Sequence, residues 1–198
     1  EWNFEKELEW GLLQYPEHQQ AQAFFKAVNH FYLSRPELWE IDFSWEGFEW
    51  ISNDDYQQSV IAFRRKAKDG RELVAVCNFV PVQRENYCIG VPIRGTWAEV
   101  FTSDATAFGG GGVTNGSAIK TQDVPMHGCE QSVSLTLPGC SVFFLECVKK
   151  TPKRVRRAPA KKTASKTAAK AKPAAEAKPK VEKKPARGGK KKTGAKAP

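Results

Sequence analysis

The chain has 198 residues, 40% of them hydrophobic and 27% charged, with a formal net charge of +9. That sum hides two opposite bodies: residues 1–148 hold eleven of the 31 Lys and Arg and twenty of the 22 Asp and Glu, for −9, whereas residues 149–198 hold twenty and two, for +18. The aromatic residues all precede residue 149 and no apolar run approaches the ~20 residues of a membrane helix, so the sequence reads as a soluble chain with no membrane partner, in which only the first part can build a core. The basic balance therefore says nothing about what the folded part binds. A chain that opens on Glu1 rather than Met also reads as a piece of a longer one.

Residues 1–15 mix aromatics and acids without a sustained period and read as an ordered loop with a short helical turn. From Pro16 to Arg35, Ala21, Phe24, Phe25, Val28, Phe31 and Tyr32 recur at three- and four-residue spacing, which predicts an amphipathic helix. Pro16 suits its first turn and Pro36 its stop. Beyond Leu38 short β-forming segments alternate with turn residues. Ser59–Lys66 and Glu72–Val80 flank an Asp69-Gly70 turn, the signal of a hairpin, and Leu73–Cys77 is apolar on both faces, as a central strand is. Strands are further expected at Tyr87–Ile93, Thr96–Phe101, Ile119–Val124, Ser132–Leu137 and Val142–Val148, and seven or eight such strands imply an antiparallel sandwich. After Lys149 the text is Lys, Ala, Pro and Thr, which predicts a disordered tail.

Gly109–Gly112 looks like a phosphate loop but matches none: no G-x-G-x-x-G register exists, no Gly-Lys-Ser/Thr follows and no helix begins there, so a flexible loop between strands is expected. Asn115-Gly116-Ser117 fits a glycosylation sequon by chance. His18, His30 and His127 have no partner spacing for a metal or a triad, and Cys77, Cys88, Cys129, Cys140 and Cys147 form no C-x-x-C pair. Reduced, mostly buried thiols in a cytoplasmic protein, with neither metal nor cofactor, follow. Glu1, Glu5, Glu7, Glu9, Asp54 and Asp55 read as a solvated acidic face. Trp10, Trp39 and Trp50 read as packing against a neighbouring domain, while Trp2, between Glu1 and Asn3, is equally suited to stacking on a sugar ring.

Several strings in order, EWN, ELEW, ELWEIDF, GFEWI, QSVIAFRR, LVAVCNFVPV, YCIGVP, TSDATAFGGGGVTNG, HG and SLTLP, resemble the C-terminal end of bacterial 1,4-alpha-glucan branching enzymes of the alpha-amylase superfamily. The resemblance implies a mainly β chain with a Greek-key-type β-sandwich at 39–148, preceded at 1–38 by the last loop and helix of a truncated (β/α)8 barrel and followed at 149–198 by the tail. The helix would then turn Phe24, Phe25, Phe31 and Tyr32 toward the barrel. Departures are local: Glu9 stands where an aspartate is expected, Gly111 where a serine is expected, and Pro138-Gly139-Cys140 replaces a Pro-Pro-Leu-like turn. The family's catalytic aspartate, glutamate and second aspartate have no counterpart in these residues.

Two functions follow. By resemblance, the chain is part of an enzyme that moves an α-1,4-glucan segment onto a 6-hydroxyl, with α-glucan or glycogen as substrate through the barrel, and Glu1, Trp2 and Asn3 at most border that groove. Alternatively, the chain binds nucleic acid or another polyanion non-specifically through its basic tail.

Overall fold

The computed structural model describes residues 3–152. After a 3-10 turn at Trp10–Gln14, helix α1 runs over Pro16–Ser34. Pro16 opens it where a missing N–H costs nothing, and Glu17 in the first turn complements the helix dipole. It closes with Arg35 N–H donating to the Tyr32 carbonyl, one residue before Pro36.

Eight strands follow: β1 (Phe48–Asp55), β2 (Val60–Lys66), β3 (Glu72–Asn78), β4 (Arg84–Val91), β5 (Gly95–Thr102), β6 (Ile119–Lys120), β7 (Gln131–Leu137) and β8 (Ser141–Lys150). Six form one antiparallel sheet in the order β1-β2-β3-β8-β5-β6, and β4 pairs with β7 in a second sheet. The β2–β3 hairpin closes where expected, with Gly70 in the left-handed region at φ 81° and the Ala67 N–H donating to the Arg71 carbonyl at 3.0 Å.

Period-two alternation sets what lies between the sheets. Val60, Ala62, Val74, Val76, Phe143, Leu145 and Trp97 face inward from the larger sheet and meet Ile89, Val91, Val133, Leu135 and Leu137 from the smaller. Trp97 is fully buried, and its indole N–H donates to the Ile93 carbonyl at 3.0 Å, so the one polar atom of that ring is satisfied. Leu73 and Ala75 are equally buried on the opposite face of β3, which the 3-10 turn Pro36–Leu38 covers. Arg65 holds that turn to the sheet through the Leu38 carbonyl at 3.1 Å and Asp42 at 2.6 Å.

Three local features depart from the sequence reading. The segment expected to be a strand from Ile119 to Val124 pairs with β5 only over Ile119–Lys120, because Gln122 then leaves for the other sheet and exchanges two backbone hydrogen bonds with Ser132 of β7. The glycine run is not a free loop: the Asp104 carboxylate accepts from the N–H groups of Gly111 (2.9 Å) and Val113 (2.8 Å), and its carbonyl accepts from Gly112 (2.7 Å). Gly109 and Gly112 have φ of 84° and 77°, and a Cβ on Gly110 would collide with the Asp104 carbonyl, so glycine is required for this wrap. Third, α1 lies on the outer face of the larger sheet and buries part of its apolar stripe there. The Phe31 ring sits 4.9 Å from Phe101 and 5.1 Å from Phe144, and Phe24 sits 5.5 Å from Phe108. A bulge in β5 makes this possible: Glu99 pairs with Leu145 but Phe101 with Phe144, so the extra residue, Val100, flips Phe101 to the outer face. The expectation that all four aromatics of the helix face away from the β domain therefore holds only for Phe25 and Tyr32, which are exposed. The disorder expected from Lys149 onward does not begin there, because Lys149 and Lys150 end β8 and pair with Thr96 and Gly95; the rest of that expectation, residues 153–198, lies outside the described residues.

Candidate functional site: an open apolar surface and a basic sheet end

Of the three residues singled out for glucan binding, Glu1 and Trp2 lie outside the described residues. Asn3 is exposed and turns inward on its own loop, its side-chain oxygen accepting from the Glu5 N–H at 3.0 Å and its carbonyl from the Lys6 N–H at 3.2 Å. Among the described residues no three His, Cys, Asp or Glu side chains converge as metal ligands would. His127 instead accepts the Gly90 N–H on Nδ1 at 3.2 Å, and His18 and His30 stand exposed on α1. No helix of the described residues is long and apolar enough to cross a membrane.

The acids do not form a catalytic pair. Asp55 accepts the Tyr87 hydroxyl at 2.6 Å, and burial together with that carboxylate pushes the phenol well above its ordinary range. Glu49 lies between Lys66 (2.7 Å) and Arg64 (2.6 Å), whose hydrogen bonds hold its carboxyl below the usual range, while Arg64 also reaches Glu72 at 3.2 Å. These are ion pairs at the end of the sheet. Glu37 is fully buried with no hydrogen bond to either oxygen among the described residues, and the Arg71 guanidinium lies 3.8 Å away. The five cysteines are free thiols: Cys140 is exposed, and burial pushes those of Cys77, Cys129 and Cys147 up.

What the chain does present is a large apolar surface. Beside Phe25 and Tyr32, α1 exposes Leu33, and the segments flanking the helix expose Trp10, Phe43 and Trp45. Trp10, Trp39 and Trp50 are all substantially exposed, Trp50 edge-on to Phe48 and Phe63. An open cleft of about 520 Å³ runs between α1 and the sheet, lined by Phe24, Cys77, Phe79, Cys140 and Val142 among others. Phe25, Tyr32 and Leu33, at i, i+7 and i+8, share one side of the helix, and monomeric proteins rarely leave contiguous apolar patches bare. The sequence pattern contained the apolar residues of the helix, but nothing local says which of them the sheet will cover.

At the opposite extreme of polarity, the end of the larger sheet where β8 runs out is basic. Thr96 of β5 pairs with Lys149 on one side and Lys120 of β6 on the other. Lys150 is opposite Gly95, and the Thr151 N–H donates to the Arg94 carbonyl at 2.8 Å. Motif reading missed this cluster, because Lys120 and Lys149 become neighbours only through strand pairing.

The two-sheet architecture is that of an all-β domain family: residues 50–148 match the family described as the alpha amylase, C-terminal all-beta domain, and the chain belongs to that family. Its relatives are branching enzymes. It is 46% identical over 145 residues to the 1,4-alpha-glucan branching enzyme GlgB of Aromatoleum aromaticum, covering 73% of this chain and 23% of that enzyme. It is 44% identical over 147 residues to that of Aquifex aeolicus and 42% identical over 147 residues to that of Halothermothrix orenii, with 74% of this chain and 23% of each enzyme covered. The chain thus spans less than a quarter of the length of these relatives.

Proposed function

We propose that the chain is the C-terminal part of a 1,4-alpha-glucan branching enzyme, divided into the end of a catalytic barrel (1–38), an all-β domain (39–148) and a basic tail (149–198). The observation that carries this reading is the two-sided helix. One side of α1 rests on the sheet through Phe24 and Phe31, while Phe25 and Leu33 are 65% and 70% exposed. A helix wedged between two bodies has this character, and the missing body is the barrel that makes up the rest of such an enzyme.

In this reading the β domain supports the barrel through α1. The transfer itself cuts an α-1,4 bond, carries the glucan as an ester on a carboxylate, and passes it to a 6-hydroxyl, which needs a nucleophile and an acid that later serves as base. Asp55 accepts from Tyr87 and Asp54 is exposed, and the branching-enzyme resemblance gives none of its three catalytic carboxylates a counterpart in this chain, so in this reading they come from the barrel. Glu1, Trp2 and Asn3 would lie on its last loop, at the rim of the glucan groove. The protein works where glycogen is made, in the cytoplasm, and needs no cofactor.

The test exchanges this chain's residues 1–148 for the corresponding part of the Aromatoleum aromaticum enzyme. The chimera is expected to branch amylose in an iodine-stain assay, and the isolated chain to show no branching or hydrolysis. Phe25→Glu with Leu33→Glu in the chimera should abolish activity while leaving the isolated chain's fold unchanged by circular dichroism. A soluble but inactive chimera, or a branched product from the isolated chain, would overturn the assignment.

A further inference from the structure

We propose that Asn115-Gly116 is a spontaneous modification site, deamidated to aspartate or isoaspartate, which the fold holds shut through Glu99 and Thr136, and whose conversion irreversibly unlatches the segment after the glycine run from β7. It is the one Asn-Gly pair of the chain; the other asparagines precede Phe, His, Asp or Tyr. A following glycine matters because no Cβ obstructs the approach of its backbone nitrogen to the asparagine side chain. Gly116 is exposed at φ 72°, with open space where a Cβ would stand.

The reaction needs only water. The Gly116 nitrogen gives up its proton to solvent base, and its electron pair forms a bond to Asn115 Cγ that closes a five-membered succinimide. The Cγ–Nδ2 bond breaks and ammonia leaves, carrying the equivalent of that proton. Water then opens the ring: cleavage at Cγ gives aspartate, and cleavage at the former backbone carbonyl gives isoaspartate, with one extra methylene in the main chain.

The folded chain opposes the first step at every atom involved. Asn115 Nδ2 donates to Glu99 Oε2 at 2.9 Å and to the Thr136 carbonyl at 3.0 Å, while Oδ1 accepts the Thr136 N–H at 2.7 Å. The side-chain amide thus pairs with β7 as a neighbouring strand would. Glu99 also accepts the Asn115 N–H on Oε2 and the Thr114 hydroxyl on Oε1, both at 3.0 Å. The attacking nitrogen is engaged as well: the Gly116 N–H donates to Thr114 Oγ1 at 3.1 Å, and the Gly116 carbonyl accepts the Glu99 N–H at 2.9 Å. Bringing Cγ onto the Gly116 nitrogen breaks these bonds together, so the reaction proceeds from the locally opened chain. The product cannot return to the same place. A carboxylate at 115 has no proton for the Thr136 carbonyl, and it sets a second negative charge where an N–H group faced Glu99.

The test incubates the full chain at pH 7.4 and 37 °C, native and in concentrated urea, and follows conversion at Asn115 by peptide mass spectrometry. Conversion should be at least about tenfold slower in the native chain, and Glu99→Ala, checked for folding by circular dichroism, should recover most of that difference without urea. Asn115→Asp tests the consequence separately: amide hydrogen exchange at Thr136 and Glu99 should quicken at least about tenfold, while Val74 and Val76 in the central strand keep their protection. Native conversion as fast as in urea would overturn the shielding, and a folded Glu99→Ala chain as slow as the parent would overturn the part given to Glu99. Unchanged exchange at Thr136 and Glu99 in Asn115→Asp would show that conversion unlatches nothing.

Discussion

Replacing Phe31 by alanine should remove the contact that seats α1 on the sheet. The ring lies 4.9 Å from Phe101 and 5.1 Å from Phe144, and the Arg35 guanidinium stands 5.4 Å above it while also pairing with Glu146 at 2.6 Å. Truncating a fully buried phenylalanine costs about 3–5 kcal/mol. Phe31 is only partly buried, but it loses two ring pairs at about 0.5–1.5 kcal/mol each, so a loss of about 2–3 kcal/mol is expected. For a body of this size that is a fall in Tm of roughly 6–10 °C. Leu33→Ala is the matched control, because Leu33 is 70% exposed on the same helix and both residues are good helix formers; its effect should stay within about 0.5 kcal/mol. Urea denaturation followed by circular dichroism at 222 nm reads both. Equal effects of the two substitutions, or a Phe31→Ala loss below about 0.5 kcal/mol, would show that α1 is not held to the sheet as described.

Asp104→Ala should cost about 2–3 kcal/mol by freeing the Gly111 and Val113 N–H groups, each bonded to a charged oxygen, and should speed amide hydrogen exchange across 109–113. Unchanged exchange there would mean that the glycine wrap does not depend on this carboxylate. Glu49, held below its usual pKa by Lys66 and Arg64, contributes stability that is present above about pH 4.5 and is lost as pH falls through the lowered folded value. Because Glu49 is half exposed, Glu49→Gln should cost less than about 1 kcal/mol at pH 7, and the difference should vanish on acidification in a series of urea melts from pH 7 to pH 2. A gap that persists at pH 2 would contradict the ion-pair account.

How much of this was legible beforehand differs from element to element. The helix over 16–34, the β2–β3 turn and a central strand at Leu73–Cys77 are written in spacing and turn chemistry, and the structure has them where the sequence puts them, with Leu73–Val76 buried and Cys77 half-buried. The strings in order from EWN to SLTLP also sufficed to indicate an amylase-type β domain, which the family match over 50–148 bears out. The proposed glucan-groove residues were a different matter. Glu1 and Trp2 are outside the described residues, and Asn3 acts in its own loop.

Local pattern by itself determined most helix and strand segments and which residues are apolar, since both periodicities depend only on neighbours a few positions away, but it named no strand at β1 (Phe48–Asp55) and overran β6. It could not determine partners. That β8 enters between β3 and β5, that Val100 is the bulged residue turning Phe101 to meet Phe31, and that Asp104 gathers the glycine run were decided by packing between residues far apart in the chain. The same holds for Lys149 and Lys120, which sit on either side of Thr96. An amphipathic stripe states that a helix face must be covered, but the body that covers it is chosen by the shape of the surfaces that meet. In α1 the β domain takes Phe24 and Phe31 and leaves Phe25, Tyr32 and Leu33 bare.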